Sequence, residues 1–257
     1  MAEEVDLSFI LPAYNEVGRI RETITQTADY LRSRGYRYEI IVAADGNDGT
    51  RELVREISKS DPRVRVIGHA ERMGKGRGVR EAVALASGAI VGFADADNKV
   101  PIEEFDKIAA RLNEGCQVVI GSRGMPGSRV EKRQPFYRQL GSKGFRLFLY
   151  SVVGLRGISD TQCGFKFFSN RAARLIFDSQ RVDGYMFDVE ILVLATRFGF
   201  PIAQVPIRWQ DDGDSRLELL AGNIRNVRDV FRIRRSSAWA TPVHAEAWAD
   251  EKQIGAE

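Results

Sequence analysis

The sequence predicts an α/β fold built on a mostly parallel, Rossmann-like sheet flanked by helices, and three observations predict it. Apolar runs of strand length recur at residues 6–13, 38–44, 64–68, 89–93 and 117–120. Between them apolar residues return at helical spacing, as at Ile20, Ile24, Ala28 and Leu31. Polar clusters fall where the runs end: Tyr14-Asn15-Glu16, Asp45, and Asp95 with Asp97. Strands alternating with helices favour parallel pairing, and parallel strands place all these ends along one rim.

Each element has its own punctuation. The first run is stopped by Pro12, and the helix over residues 16–34 closes at Gly35. The second run gives way to Asp45-Gly46-Asn47-Asp48-Gly49-Thr50, a turn-rich stretch before another helix. Gly74-Lys75-Gly76-Arg77-Gly78 leads into a helix through Ala86. A further helix has Pro101 in its first turn and Gly115 just past its end. The second half is less regular. Residues 124–146 carry Arg129, Lys132, Arg133, Arg138, Lys143 and Arg146 among Gly and Pro and read as a basic loop. Helical patterns follow at residues 145–155, 171–177 and 187–197, then a last strand at 202–209 and a basic helix at 217–235. Residues 1–235 read as a single domain, in a regular half to residue 123 and a less regular half beyond it. A loose tail occupies 236–257.

Composition narrows the chemistry. A chain of 257 residues, 44% hydrophobic and 28% charged, has the make-up of an ordinary water-exposed globular protein. Two cysteines, Cys116 and Cys163, imply neither a disulfide framework nor a zinc cluster and suit a reducing cytoplasm. A net charge of +3 gives no case for nucleic acid. No apolar run reaches bilayer length. With only His69 and His244, a His-dependent triad has little material, so carboxylates, basic groups and a metal should carry the reaction.

Asp95 and Asp97 flank Ala96 at the end of the central run, and alternate residues of an extended segment point the same way. A lone Asp-X-Asp is more often a solvated turn. Beside the other rim clusters, two converging carboxylates suit Mg²⁺ or Mn²⁺, which keeps waters and takes further ligands from substrate phosphates. Gly74-Lys75-Gly76 could bring backbone N–H groups and an ammonium to a diphosphate. Its spacing matches neither a P-loop nor GxGxxG, which counts against an ATPase and a dehydrogenase, and DADNK fails the calcium-loop pattern. Together these features suggest transfer of a group from a nucleoside diphosphate. A hydroxyl acceptor would need a base, for which Asp160 is the nearest candidate. A phosphate acceptor would need only basic side chains to hold it.

The motifs PAYNE (12–16), DGNDGT (45–50), MGKG (73–76), FADADNKVPIEE (from 93), IGSR (120–123), DTQCGFKFF (160–168), FDVEILVLA (187–195) and VPIRW (205–209) resemble family 2 glycosyltransferases of the GT-A fold. They look most like the dolichyl-phosphate glucosyltransferase branch, close to the dolichyl-phosphate mannosyltransferases. The resemblance implies an inverting, metal-dependent transfer of a hexose, glucose from UDP-glucose or mannose from GDP-mannose, onto a polyprenyl phosphate. It further implies that Pro12, Ala13, Tyr14, Glu16 and Asp45 hold the nucleoside, that Lys75 lies near the diphosphate, and that Asp95 and Asp97, flanking Ala96, hold the metal. Arg123, Arg133 and Arg138 would meet the acceptor phosphate, Asp160 would orient the acceptor or act as base, and Ser215 and Arg216 would close over the diphosphate. Asp188 and Glu190 fit the pattern in a binding or a structural role.

Two departures stand out. Ala44 replaces an acid the family usually carries, which leaves uracil and guanine both open, and Lys99 stands where relatives often have a metal-directed polar residue. They keep a non-catalytic sugar-nucleotide-binding protein in play as a third reading, behind transfer to a lipid phosphate and transfer to a soluble hydroxyl. Without a span, attachment would be peripheral, on the cytoplasmic membrane face, through Phe145, Phe148, Leu149, Val152 and Val153 and the arginines 228, 232, 234 and 235. Core packing and solvated charge explain the same residues equally well.

Overall fold

Strand β1 (Leu7–Tyr14) sits between β2 and β4 in the main sheet, and its alternation sets the layers. Leu7, Phe9, Leu11 and Ala13 enter one apolar cluster and Ile10 the opposite one. The structure is a computed structural model that describes residues 4–131, 136–210 and 221–236. After β1 come α1 (Ile20–Ser33), β2 (Tyr38–Asp45), α2 (Thr50–Ser60), β3 (Val64–Ile67), α3 (Lys75–Leu85) and β4 (Ile90–Ala94). A 3-10 turn (Ile102–Glu104), α4 (Phe105–Asn113) and β5 (Val118–Ser122) complete the regular half. Then follow β6 (Arg129–Val130), α5 (Phe136–Val153), β7 (Phe165–Ser169), α6 (Asn170–Ser179), α7 (Phe187–Arg197), β8 (Ile202–Pro206), β9 (Arg208–Trp209) and α8 (Ala221–Ser236).

The main sheet has seven strands in the order β3-β2-β1-β4-β7-β5-β8. All neighbours pair in parallel except β7, which lies antiparallel between β4 and β5. Side chains of α1, α2 and α4 (Ile20, Ile24, Val54, Phe105, Ile108) cover one face. Those of α3, α6, α7 and α8 (Val79, Ile176, Ile191, Val230) cover the other. The mostly parallel, helix-covered sheet is therefore as the sequence predicts.

Three readings of the second half need correction. Strand β7 is absent from the predicted set because Lys166 interrupts its run of phenylalanines. The chain tolerates that lysine by burying it completely with a carboxylate partner. The predicted strand over 202–209 breaks at Pro206, whose missing N–H cannot continue a ladder. Beyond it, Arg129 N–H donates to the Ile207 carbonyl (3.0 Å), and β9 pairs with β6 in a separate two-stranded sheet. The basic stretch 124–146 is not wholly loop: it holds β6, and from Phe136 it is helix α5. On α5, Leu149 is buried while Phe145, Phe148, Val152 and Val153 pack against the core, so that apolar face serves packing. Of the basic helix predicted at 217–235, α8 covers the part from Ala221. Residues 217–220 and the expected tail beyond Ser236 lie outside the described residues.

Candidate active site

Antiparallel insertion of β7 is what assembles the site. The parallel strands present their carboxyl ends at one rim, and β7, running the other way, brings its leading segment, residues 160–164, to the same rim. Ala94 pairs with Phe165, and the Asp95 N–H donates to the Gly164 carbonyl at 3.0 Å. The DAD stretch and the DTQCG stretch, some seventy residues apart in sequence, thus touch. A Cβ on Gly164 would fall 2.2 Å from an Asp95 carboxylate oxygen, so only glycine leaves that carboxylate its place.

Asp95 and Asp97 each carry an ammonium partner. Lys75 Nζ lies 2.6 Å from Asp95 and 3.6 Å from Asp188. Asp188, at the start of α7, also holds Lys166 at 2.5 Å. Lys166 donates as well to the Cys163 carbonyl, which satisfies an ammonium with no solvent access. Lys75 further sits over the rings of Phe93 and Phe187, 5.8 and 5.5 Å from their centroids. Its burial would lower its pKa, but Asp95 and Asp188 reverse that and hold it firmly charged. Asp97 pairs with Lys99, Nζ to carboxylate 3.3 Å. Burial, with the neighbouring charge of Asp95, pushes the Asp97 carboxyl above its ordinary value.

A second centre stands at the end of β5. Arg123 Nε and Nη2 donate to the two oxygens of Asp160 at 2.7 and 3.0 Å, and the Arg123 backbone N–H adds a third bond at 3.1 Å. The guanidinium lies over Trp209, 5.4 Å from the ring centroid. Burial alone would raise the Asp160 pKa, but the Arg123 bonds and charge outweigh it and keep the carboxyl below the ordinary range. A carboxylate so held is a poor proton acceptor. Cys163, between the two centres, is buried, with its thiol pushed up to about 12, and so stays protonated.

The glycine-rich turn differs from its predicted use. The N–H groups of Gly76 and Arg77 donate to the Asp183 carbonyl (2.8 and 3.3 Å), and those of Met73 and Gly74 to the Asp45 carboxylate (2.8 and 3.3 Å). A Cβ at Gly74 or Gly76 would lie 2.4 Å from a backbone oxygen of the 182–183 segment. These glycines therefore serve a tight packing seam rather than a backbone phosphate cradle, and Lys75 is the group the turn offers. Asp45, also accepting from His69 N–H (3.1 Å), locks the end of β2 to this turn.

At the carboxyl end of β1, Pro12 and Ala13 lie beside Ala43 and Ala44, and Tyr14 stands exposed at 37%. Arg72 lies 4.4 Å from the Tyr14 ring centroid and donates to the Tyr185 hydroxyl (3.0 Å). The Glu16 N–H donates to Thr50, and Ala96 is buried with its carbonyl accepting from Thr23. The structure thus brings together Lys75, Asp95, Ala96, Asp97, Arg123 and Asp160, with Tyr14, Glu16 and Asp45 farther along the rim. Arg133, Ser215 and Arg216 lie outside the described residues, and of Arg138 only its place on α5 is described. Lys166, Arg72 and Tyr185 are missing from the predicted set. Only Lys166 had a signal, a charge inside a run of phenylalanines that demands a buried partner. Glu190 accepts from the N–H groups of Arg181 and Val182, a structural bond.

Asp95 and Asp97 do not continue the extended strand as the sequence suggested. Strand β4 ends at Ala94, and Ala96 and Asp97 lie in a turn whose Asn98 N–H donates to the Asp95 carbonyl at 3.4 Å. It is the turn that presents two carboxylates of the kind a hard, oxygen-seeking cation takes beside water and phosphate. Among the described residues no group of three metal-ligating side chains occurs. The acids therefore fit a cation shared with a bound diphosphate, provided Lys99 yields Asp97.

Comparison with known proteins places this rim in a family. The model of glycosyl transferase family 2 matches residues 8–176. A dolichyl-phosphate beta-glucosyltransferase of Trichomonas vaginalis is 34% identical over 258 residues, covering 95% of this chain and 76% of that protein. One from Saccharomyces cerevisiae is 32% identical over 251 residues, with 90% and 75% covered. Among solved structures, glucosyl-3-phosphoglycerate synthase from Mycobacterium tuberculosis with Mn²⁺, UDP and phosphoglyceric acid superposes with a TM-score of 0.65. It is 22% identical and the match covers 93% of this chain and 80% of that one, a likeness of fold. The sheet is a GT-A sheet, and the chain is a glycosyltransferase belonging to family 2.

Proposed function

We propose that this enzyme moves glucose from UDP-glucose to a polyprenyl phosphate such as dolichyl phosphate, by a single inverting displacement. One observation supports the reading above the others: the acid pair Asp95–Asp97 and the closed Arg123–Asp160 pair meet at one rim through the Asp95–Gly164 bond. Relatives named for glucosyl transfer to dolichyl phosphate, at 32–34% identity over three quarters of their length, support the same acceptor and sugar. In the displacement an acceptor phosphate oxygen bonds to the sugar's anomeric carbon as the bond from that carbon to the diphosphate breaks. A divalent cation held by Asp95 and Asp97 would offset the charge on the leaving diphosphate.

The remaining roles belong to the chain itself. Lys75, anchored by Asp188, places a fixed positive charge where the diphosphate would lie. Arg123, held flat by Asp160 and Trp209, presents its outer edge to the acceptor phosphate. A phosphate acceptor is largely dianionic at neutral pH and needs no base. That suits an Asp160 already engaged by arginine, and it weighs against the hydroxyl-acceptor reading.

No helix among the described residues is long and apolar enough to cross a membrane. For reaching a lipid acceptor we propose instead the outer face of α8 and the adjoining turn of α5. Val227, Phe231 and Leu147 are 40%, 51% and 66% exposed there, Phe231 meets Phe148 edge-on, and Arg225, Arg228 and Arg232 are exposed on α8.

Thermal-shift titration with UDP, GDP, UDP-glucose and GDP-mannose, with and without Mn²⁺, tests the donor. Selective stabilisation by UDP species, followed by labelled glucose appearing on a polyprenyl phosphate, is the expected result. Stabilisation by GDP species alone would move the assignment to GDP-mannose. Binding without turnover across a panel of donors and acceptors would demote the chain to a sugar-nucleotide-binding protein.

A further inference from the structure

The turn from Arg72 to Lys75 carries a cation at each end, and the two reach opposite sides of one crevice. From β1 the chain steps outward to β2 and β3, then returns to β4 on the other side of β1. The carboxyl ends of β1 and β4 therefore flank the switch point of the sheet, where open α/β sheets bind their ligands. Lys75 meets Asp95, the residue after β4, at 2.6 Å. Arg72 lies over the ring of Tyr14, the last residue of β1, 4.4 Å from its centroid. The turn between them is fixed, because the Met73 and Gly74 N–H groups donate to the Asp45 carboxylate.

The two cations differ in what neutralises them. Lys75 has Asp95 and Asp188. Nearby arginines are likewise committed, Arg77 to Glu81, Arg80 to Asp183, and Arg51 to the carbonyls of Ala44, Gly46 and His69. Arg72 is exposed and makes no ion pair among the described residues. It donates once, to the Tyr185 hydroxyl at 3.0 Å, and otherwise meets only the rings of Tyr14 and Tyr185. Such contacts orient a guanidinium without neutralising it, and they leave most of its N–H groups for a ligand.

We propose that Arg72 is a second donor-binding cation, which contacts the diphosphate of the nucleotide sugar from the β1 side of the crevice while Lys75 contacts it from the β4 side. The proposal rests on the reading of this rim as the site of a nucleoside-diphosphate donor. A diphosphate spreads its negative charge over two adjoining phosphoryl groups, which suits positive charges set on either side of one crevice. The guanidinium fork matches phosphoryl oxygens. At Arg72 this binding breaks no ion pair.

The test is titration of the full chain, in the presence of Mn²⁺, with UDP and GDP by calorimetry and with uridine and guanosine by saturation-transfer NMR. Wild type is compared with Arg72→Gln, Arg72→Lys and Tyr185→Phe. Arg72→Gln should bind the nucleoside diphosphate preferred by wild type about tenfold more weakly, the loss of one charged hydrogen bond. Nucleoside binding and melting temperature should stay unchanged. Arg72→Lys, which keeps the charge and loses the fork, should fall between. Tyr185→Phe removes only the orienting acceptor and should cost about two- to threefold. Diphosphate binding that is equal in wild type and both Arg72 variants overturns the proposal and leaves the donor reading standing. An equal loss for nucleoside and nucleoside diphosphate also overturns it, and moves Arg72 to the base. Wild type that binds neither UDP nor GDP overturns the donor reading and this inference with it.

Discussion

The two charged centres of the rim differ in how their partners hold on. At the Asp95–Asp97 centre each acid faces one lysine ammonium, at 2.6 and 3.3 Å, and Asp97 also accepts from the Lys99 backbone N–H. At the other, Asp160 receives both arms of Arg123 and its backbone N–H. A lysine contact is one point charge that another cation or a phosphate can displace. An arginine fork with three bonds keeps its geometry while other ligands arrive. The first centre meets its acids with point charges and the second with a fork, a division that fits the proposed donor and acceptor sites.

The largest expected effect comes from the anchor beneath the lysine-bound centre. Asp188→Asn leaves two lysines, one of them fully buried, facing a neutral amide, and should cost about 3–5 kcal/mol of stability. In a melting experiment that is a fall of order 10 °C. A stable variant would mean that Lys75 and Lys166 are not held as described. Next, Gly164→Ala drives a methyl into the Asp95 carboxylate. Sugar transfer should fall about 100-fold, as reacting groups displaced by an ångström lose that much, while the melting temperature moves far less. Unaltered transfer would detach Asp95 from the reaction.

Arg123→Lys sharpens the contrast from the other side, because it keeps the charge and removes the fork. Turnover with the phosphate acceptor should drop about tenfold, equivalent to about 1.4 kcal/mol and in the range of one charged hydrogen bond, with nucleotide binding unchanged. Weakened nucleotide binding would place Arg123 at the donor instead. The smallest effect is a pH dependence. Asp160 is held below its ordinary value of 3.8, so the Arg123–Asp160 contribution to stability is present above that pH and is lost as pH falls through the depressed folded value. Urea unfolding of wild type and Asp160→Asn should therefore differ by about 1 kcal/mol at pH 6 and converge as the pH falls below 3.8. A gap that stayed constant would mean that packing, not charge, accounts for the pair.

Much of the fold was legible in the sequence because β1, β2 and β4 are apolar on both faces and end in polar clusters. Those clusters marked the rim correctly. Legibility stopped wherever a residue's meaning depends on a distant partner. Lys166 broke a strand pattern because Asp188, twenty-two residues on, is what permits it. The glycines of the 74–76 turn suggested N–H groups free to meet a diphosphate because their true neighbour, the Asp183 carbonyl, lies on another segment. Arg123 and Asp160 could each be named from motifs, but their mutual grip is a property of β5 and β7 standing side by side.

That adjacency has a bearing on how the chain could be taken apart. Strand β7 comes from the second half of the sequence yet fills the gap between β4 and β5 of the first, hydrogen-bonded to both. A fragment severed after residue 123 would keep both flanking strands and lose the one that joins them. Grafting a different second half onto this enzyme would succeed only if the incoming piece reproduced that central strand, its buried lysine included.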